Sequence, residues 1–127
     1  MKNYHSGFCL KGIARSFKNS VRGFQVLLKN EYNLYIQIGA GIIVTIVGFF
    51  FDLSNIEWAI QTAMIGLVIF AELVNTAIEK TMDLVHPEYD ERVRDIKDLA
   101  SGAVLFMLLV AVASGLFIYI PKVLDLL

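Results

Sequence analysis

The stretch Trp58-Ala-Ile-Gln-Thr-Ala-Met-Ile-Gly-Leu-Val-Ile-Phe-Ala-Glu72-Leu-Val-Asn75-Thr-Ala-Ile78, followed at once by Glu79, decides how this chain is read. It is apolar enough to cross a bilayer, yet it carries a carboxylate well inside it. A charged side chain near the middle of a membrane helix costs about 2.5–3.5 kcal/mol on insertion scales. Such a group is kept where it serves chemistry. At 3.6 residues per turn, positions 72, 75, 79 and 83 fall within about 80° of one another. Glu72, Asn75, Glu79 and Asp83 therefore make one polar stripe on an otherwise apolar rod. Three acids and an amide on one face suit a cation or a proton better than they suit packing.

Working outward, two more apolar runs flank this one. The chain has 127 residues, 57% of them hydrophobic, and a mean hydropathy of +0.63. The apolar residues are clustered rather than alternating, which excludes an ordinary soluble domain of this size. Spans are expected at about 34–51, 56–78 and 99–120, each approaching the ~20 residues that cross ~30 Å of hydrocarbon. A single domain, all-α and membrane-integral, is the expected architecture. No cleavable signal peptide is expected, because the basic N-terminal stretch lacks an uninterrupted apolar core. The net charge of −1 gives no global field for nucleic acid, and the lone Cys9 has no partner for an internal disulfide.

Of the eleven Lys and Arg residues, all but Lys122 lie before the first span or between the second and third. By the positive-inside rule that side is cytoplasmic, so the chain is expected to run N-in, C-out. The segment at about 12–30 is of another kind. Ile13, Phe17, Val21, Phe24 and Leu28 share one narrow face, while Arg15, Lys18, Asn19, Arg22, Gln25 and Lys29 take the other. It predicts an amphipathic helix in the headgroup layer, its basic face suited to anionic lipid. A break near Asn30–Asn33 turns the chain into the bilayer, and His86-Pro87 ends the second span's helix.

The chemically capable residues collect at the basic side. Mg²⁺ prefers oxygen ligands and is usually held by one or two carboxylates plus substrate phosphates and water. Glu31 and Glu79, at interface depth on different elements, suit that role. Lys97, beside Asp98, offers a cation for a phosphate. Glu72 lies deeper, where the hydroxyl of a lipid alcohol reaches it from the bilayer, and is the candidate general base. Glu88, Asp90, Glu91 and Asp95 are as readily solvated interfacial anchors, and His5 and His86 are incidental. Gly39-Ala-Gly41, Ala111 and Gly115 read as helix packing rather than as a phosphate loop. A small proton-coupled transporter built on Glu72 is the competing reading. It requires polar residues through the other half of the membrane, where helix two has only Gln61 and Thr62.

The run Glu72-Leu-Val-Asn-Thr-Ala-Ile-Glu79-Lys-Thr-Met-Asp83 resembles the signature of the small bacterial integral-membrane diacylglycerol kinase family, which includes undecaprenol kinases. Lys97-Asp98-Leu-Ala-Ser-Gly-Ala-Val-Leu105 and Asn30-Glu31 are similar to its other motifs, and the resemblance extends from about Ser16 to Ile120. It implies a homotrimer of three-span subunits, each with a surface helix, that transfers the γ-phosphoryl of MgATP to a lipid alcohol, diacylglycerol or undecaprenol. It also implies Glu72 as base, Glu31 and Glu79 as metal ligands, and Asn19, Glu31, Glu79, Glu88, Lys97 and Asp98 as nucleotide contacts. Asn75 and Asp83 would support the site, and Ser101 would lie near the lipid. Where some members carry an arginine near the start of the surface helix this chain has Gly12, so Lys11 or Arg15 would have to serve. The segments from Ile56 and from Asn75 look closer to the undecaprenol kinase branch.

Overall fold

A computed structural model describes residues 10–30 and 32–127, and every regular element among them is a helix. The chain divides into two compact units, Met1–Glu31 and Tyr32–Leu127.

The first unit contributes α1, Leu10–Asn30. It starts two residues before the expected boundary and is amphipathic as its periodicity predicts. Ile13, Phe17, Val21 and Phe24 form an exposed apolar stripe, with Arg15, Lys18 and Arg22 exposed on the opposite side. Asn19 is exposed on this helix, and Ser20 Oγ donates back to the Ser16 carbonyl at 3.1 Å.

The second unit holds α2 (Tyr32–Phe50), α3 (Asn55–Val85) and α4 (Glu91–Leu124), all three long and apolar enough to cross a membrane. Their large side chains point mostly away from the chain itself: Phe49 is 76% exposed and Phe117 83%. Monomeric soluble proteins do not leave apolar surface on that scale uncovered; a bilayer or further protein covers it. α3 and α4 outrun the expected spans, at the ends where charge begins. α3 continues about two turns past Ile78 to Val85, and α4 starts at Glu91 rather than Leu99. Hydropathy marks what lies in hydrocarbon, whereas a helix ends where its caps are. His86 caps the C-terminus of α3, its N–H donating to the Met82 carbonyl, and Pro87 follows. Asp90 caps α4, its carboxylate accepting from Arg92 N–H at 2.8 Å and from the Arg92 guanidinium at 2.8 Å. The side-chain and backbone hydrogen bonds from Arg92 pull the Asp90 carboxyl down to about 2, so this cap stays ionised near neutral pH.

The α2–α3 connection is a tight hairpin. Asp52 adopts a positive φ of 50°, Leu53 is buried, and Ser54 and Glu57 form a reciprocal capping box at the start of α3. Gly48 makes this possible. A Cβ there would stand 2.7 Å from Leu53 Cδ1 and 2.8 Å from the Trp58 ring, and that ring is already packed on Phe49 with centroids 4.9 Å apart. Gly48→Ala is therefore expected to destabilise the unit by about 1–3 kcal/mol, the usual cost of overpacking. Thermal unfolding in detergent micelles followed by circular dichroism measures it; an unchanged midpoint would show that Leu53 and Trp58 yield freely.

The hairpin end is also tied across all three helices. Tyr119 Oη donates to Gln61 Oε1 at 2.6 Å and lies 3.2 Å from the Val44 carbonyl, while Gln61 Nε2 reaches the same carbonyl at 3.4 Å. Lys122 pairs with Glu57 at 3.0 Å. A buried amide and a half-buried phenol satisfied this way lock the register of α2, α3 and α4.

Candidate functional site

The opposite half of the second unit gathers the polar stripe. Glu72 is 1% exposed. Its Oε2 accepts from Gln37 Nε2 on α2 at 2.9 Å, whereas its Oε1 is buried with no hydrogen-bond partner among the described residues. Three more buried acceptors nearby on the same two helices are likewise unpartnered: Gln37 Oε1, Asn75 Oδ1 and Thr76 Oγ1. Buried polar atoms in folded proteins are almost always satisfied, so such a group calls for a bound partner or a chemical role.

Glu72, Asn75, Gln37, Asn33 and Ser101 line one cleft of about 320 Å³. It lies between α2 and α4 with α3 at its back, and the exposed apolar side chains of Ile36 and Leu105 stand at its edge. An apolar groove of about 360 Å³ shares Gln37, Ala40 and Leu108 with it and continues toward Tyr119. The site is thus polar at one end and greasy beyond.

Axial position along α3 separates the acids. Counting 1.5 Å per residue from Trp58, Glu72 lies about 21 Å along the helix and Glu79 about 32 Å. A hydrocarbon core of roughly 30 Å therefore reaches past Glu72 and ends near Glu79. Glu79 is half-buried, and its Oε1 lies 3.5 Å from Asn75 Nδ2. One turn on, Asp83 is exposed and forms an ion pair with Lys97, joining α3 to α4. Asp98 is exposed and pairs with Arg94 at 3.6 Å along α4, and Glu88 is exposed in the connecting loop.

Of the residues singled out from the sequence, the structure brings together Glu72, Asn75 and Ser101 in the cleft and Asp83 with Lys97 beyond it. Asn19 is on α1 in the other unit, and Glu31 and His5 lie outside the described residues. Gln37, which lines the cleft, and Thr76, buried next to Asn75 on α3, were not singled out. Gln37 had a legible signal. It sits about 20 Å before the hairpin and Glu72 about 26 Å after it, so a tight turn places the two at similar depth.

As for a metal, no group of three or more His, Cys, Asp or Glu side chains able to hold an ion occurs among the described residues. Glu79 supplies a hard carboxylate at the interface, with the unpartnered Asn75 Oδ1 behind it. That oxygen set fits an Mg²⁺ ion delivered with nucleotide phosphates, which needs only one or two protein carboxylates.

Comparison with known proteins agrees with this arrangement. Residues 18–119 match the family model described as prokaryotic diacylglycerol kinase. The chain belongs to the prokaryotic diacylglycerol kinase family. It is similar to the undecaprenol kinase of Bacillus subtilis (strain 168), with 37% identity over 108 residues, 85% of this chain and 88% of that one. The diacylglycerol kinase of Synechocystis is 32% identical over 112 residues, covering 87% of this chain and 64% of its own. That of Escherichia coli (strain K12) is 29% identical over 112 residues, covering 88% and 90%. A membrane-embedded lipid kinase is therefore the class of enzyme to which this chain belongs. The transporter reading finds no support: Gln61, the polar group it needed at the hairpin end, is buried and engaged by Tyr119 and Val44.

Proposed function

We propose that this kinase transfers the γ-phosphoryl group of MgATP to the hydroxyl of a membrane lipid at the cytoplasmic interface, with a polyprenol such as undecaprenol as the acceptor. One observation carries the reading: a carboxylate buried at hydrocarbon depth, with one oxygen held by Gln37 and the other unpartnered in a cleft edged by Ile36 and Leu105. The lipid hydroxyl enters that cleft and gives its proton to Glu72 Oε1. The alcohol oxygen then bonds to the γ-phosphorus as the bond to the β,γ-bridging oxygen breaks, and ADP leaves. Phosphoryl transfer asks a protein chiefly for in-line positioning and charge neutralisation, with a base for the incoming hydroxyl. Ser101, which lines the cleft, would hydrogen-bond the acceptor, and the apolar groove that shares Gln37, Ala40 and Leu108 with the cleft would receive part of its chain.

Glu31 and Glu79 would hold Mg²⁺, which would supply neutralisation of the charge on the transferring phosphates. Lys97 exchanges Asp83 for a phosphate when nucleotide arrives; an exposed ion pair is worth at most about 1 kcal/mol, so the exchange is inexpensive. Asn19, Glu88 and Asp98 complete the nucleotide contacts, Asn75 orients Glu79, and Lys11 or Arg15 takes the place of the arginine absent at Gly12. The basic residues on α1 and on either side of the α3–α4 loop orient the chain N-in, C-out. We further propose a homotrimer, which would cover the exposed apolar faces of α2, α3 and α4 in part and bring residues of neighbouring copies to one site, making 1–127 one functional domain.

The preference for a polyprenol over diacylglycerol rests on the higher identity to a protein named undecaprenol kinase than to those named diacylglycerol kinase. Purified protein in mixed micelles, given labelled MgATP and either a C55 polyprenol or diacylglycerol, tests the reading. Label is expected in the organic phase, with the polyprenol turned over at the higher kcat/KM. Faster turnover of diacylglycerol would reverse the acceptor, and no organic label with either would refute the kinase assignment.

A further inference from the structure

We infer that Gln37 is a positioning residue for the reaction: by donating from Nε2 to Glu72 Oε2 it fixes the carboxylate so that Oε1 is the oxygen that meets the lipid alcohol. The inference rests on the proposal that Glu72 is the base, and adds to it which oxygen acts and what holds it. Gln37 is on α2 and Glu72 on α3, so the hydrogen bond spans two helices and its 2.9 Å length is that of a well-formed N–H···O contact. Glu72 is 1% exposed, and among the described residues this is the hydrogen bond its carboxylate makes. Without it the side chain has two equivalent oxygens and several rotamers within a cleft of about 320 Å³. A misplacement of about 1 Å at a reacting group costs on the order of 100-fold in rate.

The amide is chemically suited to this task. A cation in the same place would stabilise the carboxylate's charge and weaken it as a base; a second carboxylate would repel it. A neutral amide does not repel the carboxylate and stabilises its charge less than a cation would, and it carries an acceptor as well as a donor. Gln37 Oε1 is buried and unpartnered, as is Glu72 Oε1. Once Glu72 has taken the alcohol proton, the carboxyl group becomes a donor, and Gln37 offers on the same amide a buried acceptor with no other partner among the described residues. One side chain thus serves both protonation states of the base, across a helix pair whose register Tyr119, Gln61 and Val44 secure at the far end.

The test compares Gln37→Met, which keeps volume and removes the donor, with Gln37→His, which keeps a neutral N–H donor, alongside Glu72→Gln. Lipid phosphorylation in mixed micelles gives kcat and KM, and MgATP titration gives nucleotide affinity. Gln37→Met is expected to lower kcat by about 30-fold while KM for MgATP and MgATP affinity stay within twofold, and Gln37→His is expected to recover kcat to within about fivefold of the unsubstituted enzyme. Three results would overturn the inference while leaving Glu72 as base: an unchanged kcat in Gln37→Met, a histidine variant as slow as the methionine one, or a loss of kcat that travels with loss of MgATP binding. Substantial activity in Glu72→Gln would remove the base itself, and the role of Gln37 with it.

Discussion

Replacing Glu72 by glutamine is expected to abolish phosphoryl transfer and leave the three-helix unit folded. The substitution is close to isosteric, and the new amide oxygen still accepts the hydrogen bond that Gln37 Nε2 gives to Glu72 Oε2. What it removes is the group proposed to take the proton from the acceptor hydroxyl. General-base catalysis contributes about 10²–10⁴-fold, so the loss is set at roughly 10³-fold, equivalent to about 4 kcal/mol of barrier. The structure bears on this estimate through water: at 1% exposure, solvent has little access to replace the missing base. Label transfer in mixed micelles reads the rate, and circular dichroism with detergent-phase unfolding reads the fold. A variant that keeps more than a tenth of the activity would rule Glu72 out as the base. One that loses its helicity would show that burying an amide, rather than removing a base, explains the loss.

The second large effect is expected at Glu79. Glu79→Gln should weaken MgATP binding by at least the 10–100-fold that loss of an outer partner of a metal ligand costs, and transfer should fall with it. The reason is charge and hardness. Mg²⁺ prefers anionic oxygen and parts with its water reluctantly, so a neutral amide is a poor replacement for a carboxylate. Glu79 is half-buried at the point along α3 where the hydrocarbon ends, with Asn75 Nδ2 3.5 Å from one oxygen, so the proposed ligand is held in place without being sealed off. The comparison that isolates the ion is titration with ATP in the presence of Mg²⁺ and again in excess chelator. The gap between the two should be large for the unsubstituted protein and nearly absent for Glu79→Gln. A variant whose Mg²⁺-dependent affinity is intact, with transfer lost, would move the ion away from Glu79 and make that residue a participant in the chemical step. The contrast with Glu72→Gln is informative, because that variant should bind MgATP normally and fail only at transfer.

These effects follow from features legible to different degrees before any coordinates. The stripe of Glu72, Asn75, Glu79 and Asp83 is a matter of helical period within one segment, and the structure keeps it: Glu72 and Asn75 are buried, Glu79 half-buried, Asp83 exposed, in the order in which the helix leaves the membrane. Apolar runs report depth and stop short of the helix ends: His86-Pro87, legible as the stop of α3, is where that helix ends, whereas the Asp90 cap of α4 lies among charged residues outside the run and was not read. Gln37 was visible as a polar residue in an apolar span, but its partner was not. Thr76 gave no sign at all, since a threonine on a membrane helix ordinarily bonds its own backbone.

The sequence by itself determined that this chain is helical, that three segments suit a bilayer, that the first is preceded by an amphipathic helix, and which acids face together. Each of these is a sum over neighbouring residues, through transfer free energy, period and capping, and needs no partner from elsewhere in the chain. Only the tertiary structure decided that Gln37 holds Glu72, that Lys97 rests on Asp83, that Gly48 admits Leu53 and Trp58, and that Tyr119 joins Gln61 to Val44. Such contacts depend on how one helix is rotated and slid against another. An ångström of slip or a few tens of degrees of rotation exchanges one partner for the next, and the period of a single helix carries no term for that.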